Sequence, residues 1–334
     1  MICGASWSSS CNTLTQAKGY IMIVRGRPSG LRLFLVLRGS VLQQIWGVLL
    51  VNIVVATLVT LNHGDLFRLK ITLTAIPFTL IGLPLAIFLG FRNNAAYDRY
   101  WEGRKLWGEI VLQSRNFSRQ CLSLIEHAEP LRAGLGLEDV RVRMIYRAIA
   151  FSHALRHLLR NTDASAELKP LLAQTEWQQS GNSTNIPDYL MQQMGNDLRL
   201  CMDEKRLDGC LVAAIDKTMC SMTAAAASCE RIKSTPIPFS YTLMLHRTAY
   251  IYCFLLPFGL VDTIGFMTPF VVGIVAYTFF GLDALGDEIE EPFGTLPNDL
   301  ALDAICRSIE ISLRESIGDE LVLKPLTPVN YCLM

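Results

Sequence analysis

Residues 71–108 read ITLTAIPFTLIGLPLAIFLGFRNNAAYDRYWEGRKLWG. The first 21 of these, 71–91, carry no charged side chain. A helix of that length rises about 31 Å, enough to cross the hydrocarbon of a bilayer. The next stretch is dense in charge: Arg92, Asp98, Arg99, Glu102, Arg104 and Lys105 all fall before Gly108. A membrane-grade helix therefore runs directly into a water-side segment, and the rest of the chain is placed from that junction.

Three more uncharged runs accompany it: 45–61, 248–261 and 263–282. The connection 63–68 is so short that the helices it joins must run antiparallel. The run 248–261 is too short to span alone. The uncharged stretch 236–245 precedes it, with only His246 and Arg247 between. We read the two as one helix whose first part leaves the bilayer. Asp262 and Gly265 mark a turn to the last run. Pro77 and Pro84 interrupt the run 71–91, since each removes a backbone donor and crowds the preceding turn. Freed carbonyls in lipid need neighbours or water, so this helix is expected to pack against others or face a water-filled space.

Composition agrees. The 334 residues are 51% hydrophobic and 18% charged, against about 25% charged for ordinary soluble domains. Formal net charge is zero, which gives nucleic acid no electrostatic footing as a partner. Arg25, Arg27, Arg32 and Arg38 precede the first run, and Arg92, Arg99, Arg104 and Lys105 follow the second. The excess of cations places both termini and the segment after residue 91 in the cytoplasm, with the chain multi-pass in the plasma membrane (the inner membrane of a bacterium).

The expected plan follows. Residues 1–21, with Lys18 as their one charge, lack the basic start and apolar core of a secretory signal. They are disordered, or Met22 is the native start. Residues 22–43 form a basic interfacial segment. Residues 44–91 hold transmembrane helices 1 and 2, and 92–235 a helical cytosolic domain. Residues 236–283 hold helices 3 and 4, and 284–334 a cytosolic C-terminal segment and tail. In the polar domain, Trp107, Ile110, Val111 and Ser114 share one helix face, as do Met144, Ile145, Ala148, Phe151 and Leu155. The stretch 161–190 reads as a flexible break, and 300–313 as an amphipathic helix.

No nucleotide-binding, zinc-protease or hydrolase motif is present, so an enzyme is not expected, nor a cofactor or metal. Ten cysteines occur without a C-x-x-C pair. The spacing of Cys201, Cys210, Cys220 and Cys229 matches no zinc site, and they read as small buried hydrophobes. His153 and His157 share a helix face four residues apart, without the further ligands a metal needs. The acids Asp283, Asp287, Glu288, Glu290 and Glu291 read as a solvated face paired to arginines, with cation binding as the rival reading. Leu83, Ile87 and Phe91 stand at i, i+4 and i+8 on one face. Such a stripe ordinarily meets lipid or another helix, and spacing alone assigns it no pore.

Three blocks carry a family resemblance: 87–108 (IFLGFRNNAAYDRYWEGRKLWG), 229–247 (CERIKSTPIPFSYTLMLHR) and 287–299 (DEIEEPFGTLPND). In this order they resemble the bestrophin ion channels, specifically the bacterial branch, from about residue 22 to 313. The resemblance implies an all-α membrane protein with four transmembrane helices and a helical cytosolic domain. It also implies a homopentamer around a central pore that passes small inorganic ions across the lipid bilayer. Arg99-Tyr100-Trp101 matches a family sequence that follows the neck, and counting back places the neck on Leu83, Ile87 and Phe91. Arg92, Asn93 and Asn94 then fall in the vestibule beyond it. A second constriction at the cytosolic exit falls near Cys210 and Leu211. Tyr97, Trp101 and Trp107 suit the interfacial belt and inter-subunit packing. Eukaryotic members hold calcium in acids after Pro-Phe-Gly. Here Asp299 and Asp303 are what remains of that run, a residual cation site at most. The bacterial branch implies cation conduction and the eukaryotic members chloride. A membrane scaffold that recruits a cytosolic partner is the competing reading.

Overall fold

The computed structural model describes residues 30, 39–62, 65–66, 69–70, 74–126, 136–319, 323–328 and 333. The expectations for 1–21, and for most of the basic segment 22–43, lie outside the described residues. The elements in order are α1 (Leu42–Leu61), β1 (Asp65–Leu66), β2 (Leu69–Lys70), α2 (Ala75–Leu124), α3 (Val140–Arg160), α4 (Ser165–Leu168), α5 (Gln174–Ser180), α6 (Ile186–Asp203), α7 (Gly209–Ser234), α8 (Phe239–Ile264), α9 (Thr268–Glu290) and α10 (Leu302–Ser316). The two strands are a two-residue antiparallel ladder between α1 and α2.

α2 is one helix of 50 residues, about 75 Å long. It crosses the expected boundary at residue 91 without a break. Pro77 does not interrupt it, contrary to expectation. The helix begins at Ala75, so Pro77 lies in the first turn, where backbone N–H groups have no intrahelical partner. Pro84 does lie inside and removes its bond to the turn before.

The apolar halves of α1, α2, α8 and α9 pack together. His246 pairs with Asp283 and Tyr250 stacks on Phe280, so α8 and α9 are antiparallel, turning at Gly265–Met267, where Gly265 has φ +53°. Asp262 is still inside α8, so the turn falls a few residues later than expected. Ile45 lies against Gly281 and Ile53 against Gly273, which makes α1 antiparallel to α9. The amide of the buried Asn52 donates to the Cys253 carbonyl at 3.0 Å. α2 crosses α8 where Phe78 meets Gly259. A Cβ there would sit 2.3 Å from the ring, so the crossing depends on glycine.

By length and composition four segments suffice to cross a membrane: α1, α2, α7 and the joined α8–α9 pair. α7 differs from the others. It carries Asp216, Lys217, Glu230, Arg231 and Lys233, and Arg231 pairs with Glu102 at 2.5 Å beside the polar half of α2.

The polar body is built around α3. Met144, Ile145, Ala148, Phe151 and Leu155 are all buried, as are Trp107, Ile110 and Ser114 of α2. Asp139 caps α3 by accepting from Arg141 N at 2.8 Å. Asn161 ends it in the left-handed conformation at φ 52°. Trp107 is fully buried within this core, not at an interfacial belt. The stretch 161–190 is no simple break. α4 and α5 fold onto α3 through Arg156–Glu167 and Arg147–Glu176 ion pairs, with Leu168, Leu171 and Leu172 buried. α10 runs Leu302–Ser316, close to the amphipathic segment expected at 300–313.

Candidate pore face

The long helix α2 carries the site. Leu83, Ile87 and Phe91 are 67%, 47% and 60% exposed, so they stay largely uncovered. At 3.6 residues per turn the same face continues through Asn94, Asp98, Trp101, Lys105, Leu112 and Arg119, and these too are exposed. The opposite side is closed by α8 and α9 along the apolar half and by α7, α3 and α10 along the polar half. One uncovered stripe therefore follows α2 from its apolar beginning well into its charged end. It is apolar through Phe91 and mixed from Asn94 on, where Asn94, Asp98, Lys105 and Arg119 alternate with Trp101 and Leu112.

Arg92 and Asn93 do not belong to that stripe, which corrects their expected vestibule position. A turn of about 100° per residue swings Arg92 toward α9, where it is fully buried. Its Nη1 meets Asp283 Oδ1 at 2.7 Å, and Nη2 pairs with Asp287. A buried guanidinium needs such partners, because an unpaired charge away from water costs several kcal/mol. His246 Nδ1 lies 2.6 Å from the other Asp283 oxygen. Asn93 donates to the Leu282 carbonyl at 3.0 Å and lies against Gly286. Asn94 alone of the three faces out. Asp283 and Asp287 thus pair with an arginine as expected, but Asp283 and Glu288 are buried, so the cluster is not the solvated face its composition suggested.

Arg99 was read only as part of a family signature, and its work is structural. It donates to the carbonyls of Glu290 at 3.1 Å, Ile232 at 2.7 Å and Thr235. These are the last carbonyls of α9 and α7, where helices leave acceptors unsatisfied and dipoles end negative.

Cys210 and Leu211 open α7, which Asp208 caps by accepting from Cys210 N at 2.9 Å. Both are exposed. Leu211 shares a groove with Leu124 and Glu126 at the far end of α2, about 50 Å along the helix from Phe91. The neck residues on α2 and this pair on α7 are therefore far apart, with the pair beside the far end of α2.

Asp299 and Asp303 serve separate partners, which corrects their reading as a residual cation site. Asp303 pairs with Arg156 at 2.7 Å and Arg160 at 2.8 Å. Asp299 is buried and accepts from Leu296 N at 2.6 Å. Burial, aided by the nearby Glu288 charge, pushes its carboxyl up to about 7 against the pull of the Leu296 N–H. Among the described residues, no three His, Cys, Asp or Glu side chains group closely enough to hold a metal ion. His153 lies within 2.6 Å of Glu167 and 3.3 Å of Glu310. Burial acts to lower its pKa, but the two carboxylates outweigh it and hold the imidazole above its ordinary value. His157 also reaches Glu167, at 3.4 Å. The i, i+4 histidines are thus packing and ion-pairing groups.

The fold and the open α2 face define an all-helical, multi-pass membrane protein whose longest helix continues into a polar helical body. Residues 22–315 match the family described as bacterial/fungal bestrophin proteins, and the chain belongs to that family. A protein of Mesorhizobium japonicum named voltage-dependent anion channel-forming protein is 44% identical over 303 residues, 89% of this chain and 93% of that one. The protein YneE of Escherichia coli K12, of the same descriptive name, is 40% identical over 313 residues, 93% of this chain and all of that one. A crystal structure of a bacterial bestrophin homolog from Klebsiella pneumoniae superposes with a TM-score of 0.76 at 37% identity, covering 81% of this chain and 98% of that one.

Proposed function

We propose that the protein is a homopentameric ion channel that conducts monovalent ions passively through a hydrophobic neck formed by five copies of Leu83, Ile87 and Phe91. One observation carries this reading. Among the described residues, α2 keeps one broad side uncovered from Leu83 to Arg119, with Leu83, Ile87, Phe91, Asn94 and Asp98 within it, and the other helices pack on the opposite side. A face meant only for lipid would end at the charged junction. A face meant to line an axis continues past it. In this reading α1, the first half of α2, α8 and α9 cross the inner membrane and α7 stays in the cytoplasm with α3–α6 and α10. The charges of α7 and its ion pair to the polar half of α2 support that division. Both termini are then cytoplasmic, and Cys210–Leu211 sit toward the exit. Membership of the bestrophin family and the channel-forming names of the relatives support the activity.

Apolar rings suit a gate because a tight oily collar excludes water, and a bare ion crossing it loses its hydration. Small changes in radius then switch conduction. Liposomes loaded with a salt gradient test this directly. Leu83→Ala, Ile87→Ala and Phe91→Ala should each raise ion flux, by roughly tenfold or more where the ring is the narrowest. Flux equal to the parent protein in all three would remove these residues from the conduction path. The relatives' names point to anions. We favour cations, on the charge pattern beyond the neck described next, and the reversal potential in the same gradient decides between them.

A further inference from the structure

The neck side chains are neutral and leave ion sign to charges near its inner mouth. At 3.6 residues per turn, Asp98 lies eleven residues beyond Ile87, or three turns and about 20°. It therefore shares the face of Leu83, Ile87 and Phe91, and it is exposed. It is the first ionised side chain on that face, some 10 Å past Phe91 along the helix. The next is Lys105, about 21 Å past Phe91. Neighbouring cations point elsewhere. Arg92 is buried against two acids, which leaves that cluster with one more carboxylate than arginine. Arg99 is turned to the carbonyl ends of α7 and α9. Arg231 pairs with Glu102. Asp98 has no ion pair or hydrogen bond among the described residues.

We propose that Asp98 is a selectivity-determining residue: five copies form a carboxylate ring at the inner mouth of the neck that enriches cations and depletes anions there. This rests on α2 lining the pore. Distance decides between Asp98 and Lys105. At physiological salt the screening length is about 8 Å, so the Asp98 ring lies little more than one such length from Phe91 and still acts on ions entering the inner mouth, whereas the Lys105 ring lies more than two lengths away. Charged rings of this kind set the sign of ion flow in wide-mouthed pores.

The test is bilayer recording of the assembled protein under a sodium chloride gradient. Asp98→Asn should lower the cation-to-anion permeability ratio roughly threefold near 0.1 M salt, and the shift should shrink toward nothing at 1 M, where screening falls to about 3 Å. Asp98→Glu should keep the parent ratio. Lys105→Gln should change it less than Asp98→Asn does. Asp98→Ser gives the same reading if the Asn variant fails to assemble. An unchanged ratio in the neutral variants, or a larger shift from Lys105→Gln, overturns the assignment of Asp98. Failure of the neck itself shows separately, as unaltered flux in the three alanine variants.

Discussion

A carboxyl in an apolar setting resists ionisation, and Asp299 is the clearest case here. Burial pushes it up to about 7, so its ionised form is less welcome in the folded protein than in the unfolded chain. In the unfolded chain it loses its proton at the ordinary carboxylate pH, in the fold only near 7. Between those values the native state holds the extra proton, and stability falls as pH rises. Asp299→Asn keeps an oxygen to accept from Leu296 N and cannot ionise. It should raise the melting temperature at pH 8 and leave it nearly unchanged at pH 4. The gain is at most about 4 kcal/mol by the shift alone. Thermal melts of the detergent-solubilised protein at the two pH values check this, and equal effects at both would refute the burial argument. His153 works in the opposite sense. Its imidazole is held above its ordinary value by Glu167 and Glu310, so its contribution is complete below the ordinary histidine range and is lost as pH rises through the raised value.

Among the elements, the α2–α8 crossing is the most constrained. Gly259 admits Phe78 so closely that any Cβ collides with the ring. Gly259→Ala should cost about 1–3 kcal/mol, as overpacking of a tight contact does. Phe78→Leu on the same chain should recover part of the loss, because the two substitutions act on one contact. Unfolding of both single variants and the double variant measures the coupling, and simple additivity would show that the contact is not limiting. α3 is the corresponding element of the polar body. Its apolar face was visible in the spacing of Met144, Ile145, Ala148, Phe151 and Leu155. Its ion pairs were not, since Glu167, Glu176, Asp197, Asp303 and Glu310 come from four other parts of the chain. α4 and α5 were missed for the same reason: short polar segments gain helical order from the arginines of α3, and no local periodicity announces it.

At the scale of the whole molecule, α1, α8 and α9 expose large apolar side chains outward, among them Trp46, Leu50, Ile251 and Phe270, whereas the exposed Ile76 and Leu80 of α2 extend the stripe of Leu83, Ile87 and Phe91. A belt of this kind suits lipid, and the bare α2 stripe suits neighbouring copies about an axis. Mass measurement of the complex in mild detergent should give about five times the 37.3 kDa of one chain, and a monomer or dimer would leave the stripe without an axis to line. The uncharged runs, the charged junction after residue 91 and the 3.6-residue spacing on α2 were legible in the sequence because each is a property of contiguous residues. Which side of α2 stays bare was not, since most of the coverage comes from α7, α8 and α9, which begin only at Gly209. The same holds for Arg92. The sequence put it beside the neck, but only the packing of Asp283 and Asp287 turned it inward, because a buried charge goes where its partners are.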